Sequence, residues 1–357
     1  MSVSAPAPSA ATVAAPAASA LQCHPLSVRV GFGGGGIANL YREISDAQAD
    51  ATLAAAHAGG IRYYDTAPLY GHGLSELRLG RFLRSLPRDG FLLSTKIGRY
   101  LLPPRGQPID KGIWAPPLNL KPVFDYGYDG AMRALEQSIN RLGLERVDIV
   151  YIHDLDRRAH GADYARQFAV AMGGAYRALD ELRSAGHVGA IGVGVNEADV
   201  AAEFVRAGRF DCVLLAGRYS LLDQTALDDF LPLALARGVD VVVAGVFNSG
   251  ILATVAGRPD AKAMYDYAEA PPAIVGRARR LASLCARFDV ALPAAALRFP
   301  FGHAAVRTVL VGMSKPEQVR QNLAWLAAPV PAALWAQMKD EELLPENVPL
   351  PGEEVIA

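Results

Sequence analysis

Four residues in this chain carry reactive groups at places where one fold could bring them together. Asp65 closes the short β-type run Ile61-Arg62-Tyr63-Tyr64, and Tyr70 follows five residues later in a stretch that Pro68, Gly71 and Gly73 keep irregular. Lys96 and His153 each end an apolar run of their own, 91–96 and 148–153. Taken singly, each has a plain structural explanation, since a strand-end Asp caps the next helix, a loop Tyr packs and a Lys snorkels. Taken together they suit proton transfer coupled to a second event. A phenol titrates near ~10, too high for a base at neutral pH, and a neighbouring ammonium lowers that value. In this reading Lys96 supplies the ammonium and Asp65 orients it. His153 hydrogen-bonds the reacting oxygen, and Tyr70 is the general acid or base. The sequence contains no G-x-S-x-G, H-E-x-x-H, Walker loop or Cys/His ligand cluster, so neither a nucleophile with an adjacent base nor a metal is expected. Hydride transfer to or from a bound cofactor is the missing half.

Such a site needs strands that all end on one side. Short β-rich runs at 28–33, 60–66, 91–96, 148–153, 189–196, 211–217, 239–245 and 306–312 alternate with amphipathic helical stretches at 74–86, 130–142, 171–185, 197–207, 227–237 and 274–288. An earlier helix, 46–58, opens at the capping box Ser45-x-x-Gln48 and ends at Gly59-Gly60. Eight β-then-α units with apolar strands predict an α/β fold of the closed parallel (β/α)8 barrel type, a TIM barrel, with an open doubly wound sheet as the alternative. Two connections, 98–128 and 247–272, exceed the usual few residues and leave the C-terminal rim, where barrel active sites are built. The tail from Pro329, with Trp335, is expected to wrap the barrel.

Gly31-Phe32-Gly33-Gly34-Gly35-Gly36 matches G-x-G-x-x-G after a strand, and Asp65 would be its ribose acid in a dinucleotide fold. The spacing disfavours this: Asp65 comes about 29 residues after Gly36 rather than about 20, and the next helix starts only at Ser45. The glycines then form a loop of close backbone approach, and Gly33 and Gly34 are expected beside the cofactor.

Composition narrows the partners. Lys and Arg number 35 against 36 Asp and Glu, for a net charge of −1 with both signs interspersed, which gives no electrostatic reason for a nucleic-acid or anionic-membrane partner. A small neutral or weakly charged ligand fits better. No apolar run approaches the ~20 residues of a spanning helix. Cys23, Cys212 and Cys285 are odd in number and widely spaced, reading as unpaired thiols of a reducing, cytoplasmic compartment. Residues 1–24, almost wholly Ala, Pro, Ser, Val and Thr, read as a disordered extension before a single domain, 25–357.

Asp65-Thr66-Ala67-x-x-Tyr70, Ser94-Thr95-Lys96 and Asp148-Ile149-Val150-Tyr151-Ile152-His153 together resemble the aldo-keto reductases, whose tetrad of Asp, Tyr, Lys and His they match in order. The resemblance extends from about Leu26 onward. It implies a (β/α)8 barrel binding NAD or NADP in extended form across the rim. His153-Asp154-Leu155-Asp156, 192–196, 214–222 and Phe247-Asn248-Ser249-Gly250 are most similar to the aldose 1-dehydrogenases of D-threo-aldose or L-fucose type, a pattern that pyridoxal 4-dehydrogenases share. The implied reaction is oxidation of an aldose such as L-fucose, or one of D-arabinose or galactose type, at C1 to its lactone. Oxidation of a pyridoxal-type or other alcohol, aldehyde reduction, and a redox-sensing binding subunit are the alternatives.

By the same resemblance, Asn196, Arg218, Phe247, Asn248, Ser249 and Gly250 would meet the cofactor. Phe247, or Ala244 on a one-for-one alignment, stands where an aromatic commonly stacks on nicotinamide. The usual Ser-Asn pair is Val195-Asn196 here and a usual Gln is Ala216, for which Arg218 could compensate. Gly312 and Gln318 stand where NADP-preferring members place cations, so NAD or dual use is expected, with Lys315 or Arg320 as partial replacements. Gln321 and Asn322 would meet adenine. Trp114, in the long aromatic loop, and Asp154, next to His153, are the expected substrate contacts.

Overall fold

The computed structural model describes residues 29–255 and 263–352. The expected extension at 1–24, Val28 and Cys23 lie outside them. Eight strands form the barrel: β1 (Val30–Gly33), β2 (Tyr63–Asp65), β3 (Leu92–Ile97), β4 (Ile149–His153), β5 (Ala190–Val195), β6 (Cys212–Ala216), β7 (Asp240–Ala244) and β8 (Val306–Gly312). All pair in parallel and β8 returns to β1, so the sheet is closed and the open doubly wound alternative falls. The strands are apolar on both faces because both are covered. Tyr63, Leu92, Ile149, Tyr151, Cys212, Leu214, Val242 and Leu310 fill the interior, while alternate residues pack outward under the helices.

The ring of helices includes α1 (Asp46–Ala58), α2 (Leu74–Leu83), α3 (Tyr128–Leu142), α4 (Ala175–Ser184), α5 (Ala198–Ala207), α6 (Phe230–Arg237), α7 (Pro272–Arg287) and α8 (Pro316–Ala327). Ser45 caps α1 by accepting from the Gln48 N–H at 3.1 Å, but Gln48 does not close the box. Its side-chain amide donates instead to the Ser314 carbonyl at 2.6 Å, tying α1 to the turn before α8. The stretch expected as one helix at 171–185 is two, Tyr164–Gly173 and α4, broken at Gly174. A side chain at Gly174 would lie 2.7 Å from the Tyr128 nitrogen, so the break brings the chain against the start of α3.

Glycines 33–36 begin a 3₁₀ turn, Gly34–Ile37, rather than the α-helix a dinucleotide fingerprint requires, and Asp65 is spent on Lys96. The first long connection is an antiparallel hairpin, Arg99–Leu102 against Lys121–Phe124, whose outer loop folds back to bridge Leu40 and Trp114. The second contains a short hairpin, Met264–Tyr265 against Ala268–Glu269. In the tail, Trp335 is buried on Ala332–Asp340, whose neighbour Glu341 accepts from Arg287 at the end of α7. Cys212 and Cys285 are buried free thiols. Among the described residues no helix is long and apolar enough to cross a membrane.

Candidate active site

Asp65 ends β2, His153 ends β4, and Lys96 is one residue from the end of β3, so the parallel register sets all three on the C-terminal rim. Lys96 Nζ donates to both Asp65 oxygens, at 2.7 and 2.6 Å, and to the Thr66 carbonyl at 2.8 Å. Ser94, two residues before Lys96 and on the same strand face, donates to Asp65 Oδ1 at 2.6 Å. The ammonium lies 4.8 Å from the centre of the Tyr70 ring. The His153 ring meets that phenol nearly edge-on, 5.9 Å between centres at 81°. The structure thus brings Asp65, Tyr70, Lys96 and His153 together.

Their electrostatics differ from the expectation in one respect. The Tyr70 phenol is held well above its ordinary value, by burial first and then by the Asp65 and Asp154 carboxylates, with Arg99 opposing. Lys96 is not among the main influences on it. Its three donors are taken by Asp65 and Thr66, and its charge lies near the ring face. Burial raises the Asp65 carboxyl against the pull of Lys96 and lowers the Lys96 ammonium against Asp65. Burial also brings His153 down to about 3, although Asp154 resists, so its imidazole is neutral at physiological pH.

These groups open on a cavity of about 490 Å³. Trp114 leans over Tyr70, ring centres 5.6 Å apart, and continues an apolar wall with Leu40, Leu69 and Ile113. Asp154, Arg158 and Asn196 form a polar side. Asp154 does not cap the helix that follows it. Asp156 does, accepting from the Ala159 N–H at 2.9 Å. The floor is glycine-rich, with Gly33, Gly194, Gly245 and Gly312 at the strand ends. A side chain at Gly312 would meet nothing within 4 Å, which leaves bare backbone open to a ligand.

Other residues expected at the cofactor are set apart from this cavity. Gly34 is packed beneath it, where a Cβ would come 2.5 Å from Ser75 Oγ and 2.7 Å from the Asp65 carbonyl. Phe247 packs edge-on against Trp325, and Ala244 takes its place in the lining. Asn248 is buried, accepting from Ser220 Oγ at 2.6 Å, Ser249 accepts from the Tyr267 N–H, and Gly250 begins the short helix Ile251–Thr254. Arg218 donates to the Asn196 carbonyl at 2.7 Å and pairs with Asp223 and Asp266. Gln318 accepts from the Ser314 N–H and hydroxyl. On α8, Gln321 is exposed and Asn322 is buried. Lys315 precedes α8, and Arg320 pairs with Glu317.

Sequence reasoning missed several contributors. Ser94 was discoverable, because a strand repeats every second residue and so aims Ser94 and Lys96 alike. Arg99, whose guanidinium donates to Asp154 Oδ2 at 2.9 Å, offered no pattern. Tyr267 also lines the cavity, from a hairpin turn in which Asp266 and Tyr267 both take positive φ, of 48° and 65°. A turn of that kind usually announces itself by glycine or asparagine.

Comparison with known proteins agrees with this geometry. The model of the aldo/keto reductase family matches residues 29–341. The chain is 43% identical over 326 residues to pyridoxal 4-dehydrogenase of Microbacterium luteolum, covering 88% of this chain and 94% of that one. It is 41% identical over 350 residues to D-threo-aldose 1-dehydrogenase of a Pseudomonas species, covering 97% and 99%. Among solved structures it superposes on an aldo-keto reductase of Bacillus halodurans with a TM-score of 0.67 at 23% identity, covering 92% and 96% of the two chains. A glycerol dehydrogenase of Gluconobacter oxydans gives 0.66 at 21%, covering 92% and 95%; both likenesses concern the fold.

Proposed function

The chain belongs to the aldo/keto reductase family of NAD(P)-dependent oxidoreductases, and from that premise we propose that it oxidises an aldose at C1 to the lactone. The observation that carries this reading is the convergence of Tyr70 and His153 beneath a cavity whose polar side, Asp154, Arg158 and Asn196, offers acceptors and donors to a ring bearing several hydroxyls. The 41% identity to a D-threo-aldose 1-dehydrogenase over nearly the whole of both chains supports it.

The residues present fit a nicotinamide dinucleotide. The glycine floor leaves space that a Cβ at Gly312 would occupy, and Asn196 and Ala216 border it. Gly33 and Asn196 would hold the reacting end of the dinucleotide. Gln321 and Asn322, on α8, would meet the adenine end, with NAD or dual use because Gly312 and Gln318 add no cation there. When bound, the oxidised nicotinamide supplies the hydride acceptor and a positive charge near the site.

The protein's own part is orientation and proton transfer. His153 donates a hydrogen bond to the C1 oxygen and fixes its position. Tyr70 accepts the hydroxyl proton as tyrosinate while the C1 hydride departs, and the carbonyl of the lactone forms. Lys96, held by Asp65, stabilises negative charge on the phenol as it develops. In the reverse direction the neutral phenol is the acid for an aldehyde.

A second reading, oxidation of an aromatic alcohol of pyridoxal type, is favoured by the apolar wall of Leu40, Leu69, Ile113 and Trp114, against which a flat ring would stack. Initial rates over aldoses and pyridoxal-type alcohols, each with NAD⁺ and NADP⁺, separate the two. Oxidation of aldoses by the wild type is expected, and its complete absence would remove the first reading.

A further inference from the structure

His153 can donate to a substrate oxygen only from the nitrogen that carries its proton, and a neutral imidazole has one such nitrogen. Something must select it. His153 Nε2 lies 3.4 Å from Asp154 Oδ1, long for a hydrogen bond but close enough for a full negative charge to decide which nitrogen is protonated. The other Asp154 oxygen accepts from Arg99 Nη1 at 2.9 Å, and the Arg99 guanidinium lies 3.9 Å from the centre of the Phe124 ring.

The backbone of Asp154 is strained. Its φ of +49° is a left-handed value that residues other than glycine take only under constraint. The surroundings enforce it. The Asp154 N–H donates to the Gly194 carbonyl at 2.9 Å, and the Tyr126 hydroxyl meets the carbonyls of His153 at 2.9 Å and Asp154 at 3.1 Å. This turn sends the side chain back toward the imidazole of the preceding residue.

We propose that Asp154, anchored by Arg99, is a positioning residue that keeps the His153 proton on Nε2, so that the imidazole meets the reacting oxygen as a donor. The proposal rests on the donor role given to His153 above, and it holds for an aldose or an aromatic alcohol alike. The other charged or titratable groups facing His153 are Lys96 from β3, Arg99 from the hairpin and Tyr70 from the loop after β2; none of the three is an acceptor carrying negative charge at neutral pH.

The test reads the tautomer directly, without substrate or cofactor. Enzyme labelled with ¹⁵N-histidine is examined by NMR, with His153→Gln assigning the His153 signals. The wild type should show Nε2 protonated. Asp154→Gly removes the carboxylate at a φ glycine accepts freely, and should give a mixture of tautomers. Asp154→Asn keeps the side-chain size but removes the charge, and with its one oxygen held by Arg99 it turns its NH2 toward His153, so it too should lose the preference for Nε2. In turnover of whichever alcohol the enzyme oxidises, kcat should fall about 10–100-fold in both the glycine and the asparagine variants, with cofactor affinity unchanged. A wild-type proton on Nδ1, or the same tautomer in wild type and Asp154→Gly, overturns the proposal. Failure to oxidise aldoses would overturn the functional reading and leave the tautomer measurement standing.

Discussion

Tyr70 is a neutral phenol at neutral pH, because burial and two carboxylates hold its proton on. Oxidation needs the phenolate and reduction the phenol, which sets opposite pH signs for the two directions. With the phenol raised above its ordinary value, the tyrosinate fraction is small at neutrality and grows as pH rises. The kcat/KM for oxidation should therefore climb by about one log unit per pH unit through the neutral and mildly alkaline range, while reduction stays flat there and falls only at higher pH. Because His153 is down to about 3, no inflection from it is expected in pH–rate profiles between about pH 5 and 8. Tyr70→Phe should lower kcat by about 10²–10⁴-fold while fluorescence titration shows cofactor binding nearly intact. Full activity in that variant would remove Tyr70 from its role. The Lys96–Asp65 pair carries a stability cost of its own, since burial pushes both partners toward their neutral forms. Lys96→Met strands a buried carboxylate and should destabilise the fold by about 3–5 kcal/mol in urea unfolding. Asp65→Asn added to it should recover part of that loss, since the stranded charge is then gone.

At the level of strands and turns, the glycines at the rim divide into two kinds with opposite predicted behaviour. Gly34 is wedged against Ser75 and the Asp65 carbonyl, so Gly34→Ala must push the residue that orients Lys96, lowering both the melting temperature and kcat. Gly312→Ala meets no protein atom within 4 Å, so the melting temperature should stay within a degree or so of wild type while the KM for cofactor rises. Thermal unfolding beside cofactor-dependent rates distinguishes the two. The sequence marked Gly34 through its glycine-rich loop and Gly312 through the cation that NADP-preferring relatives place there, and neither reason shows what a Cβ would meet, because that depends on what the returning chain packs against. It did reveal Asp65, Lys96 and His153, since each closes an apolar run and a parallel strand puts its last residue on the rim. Tyr70 was legible through the irregular loop after Asp65. For the aromatic commonly stacked on nicotinamide the sequence offered Phe247 by chemical type or Ala244 by alignment; the turn carries Phe247 outward onto Trp325, and Ala244 lines the cavity.

For the molecule as a whole, counting β-then-α units reached the barrel, and the observed return of β8 to β1 supplied the closure that counting could not. The cover over the barrel mouth was hidden for a different reason. It is built by hairpins whose contacts join distant parts of the chain, and pair interactions of that kind leave no periodic trace. Asp266 shows this best. From the hairpin that also presents Tyr267, it pairs with Arg158 just after β4 at 2.9 Å and with Arg218 just after β6 at 3.1 Å. Arg218 in turn holds the Asn196 carbonyl beyond β5, so one carboxylate links three strand ends to the cover. Asp266 is partly exposed and each pair is screened by solvent, so Asp266→Asn should change global stability by no more than about 1 kcal/mol. Its effect should fall on exchange through the mouth. Stopped-flow dissociation of cofactor should become several-fold faster in Asp266→Asn than in wild type, and the wild-type rate should move toward the variant's as salt is raised, because screening weakens the same pairs. Equal dissociation rates at low salt would show that the hairpin does not depend on Asp266 to stay over the cavity.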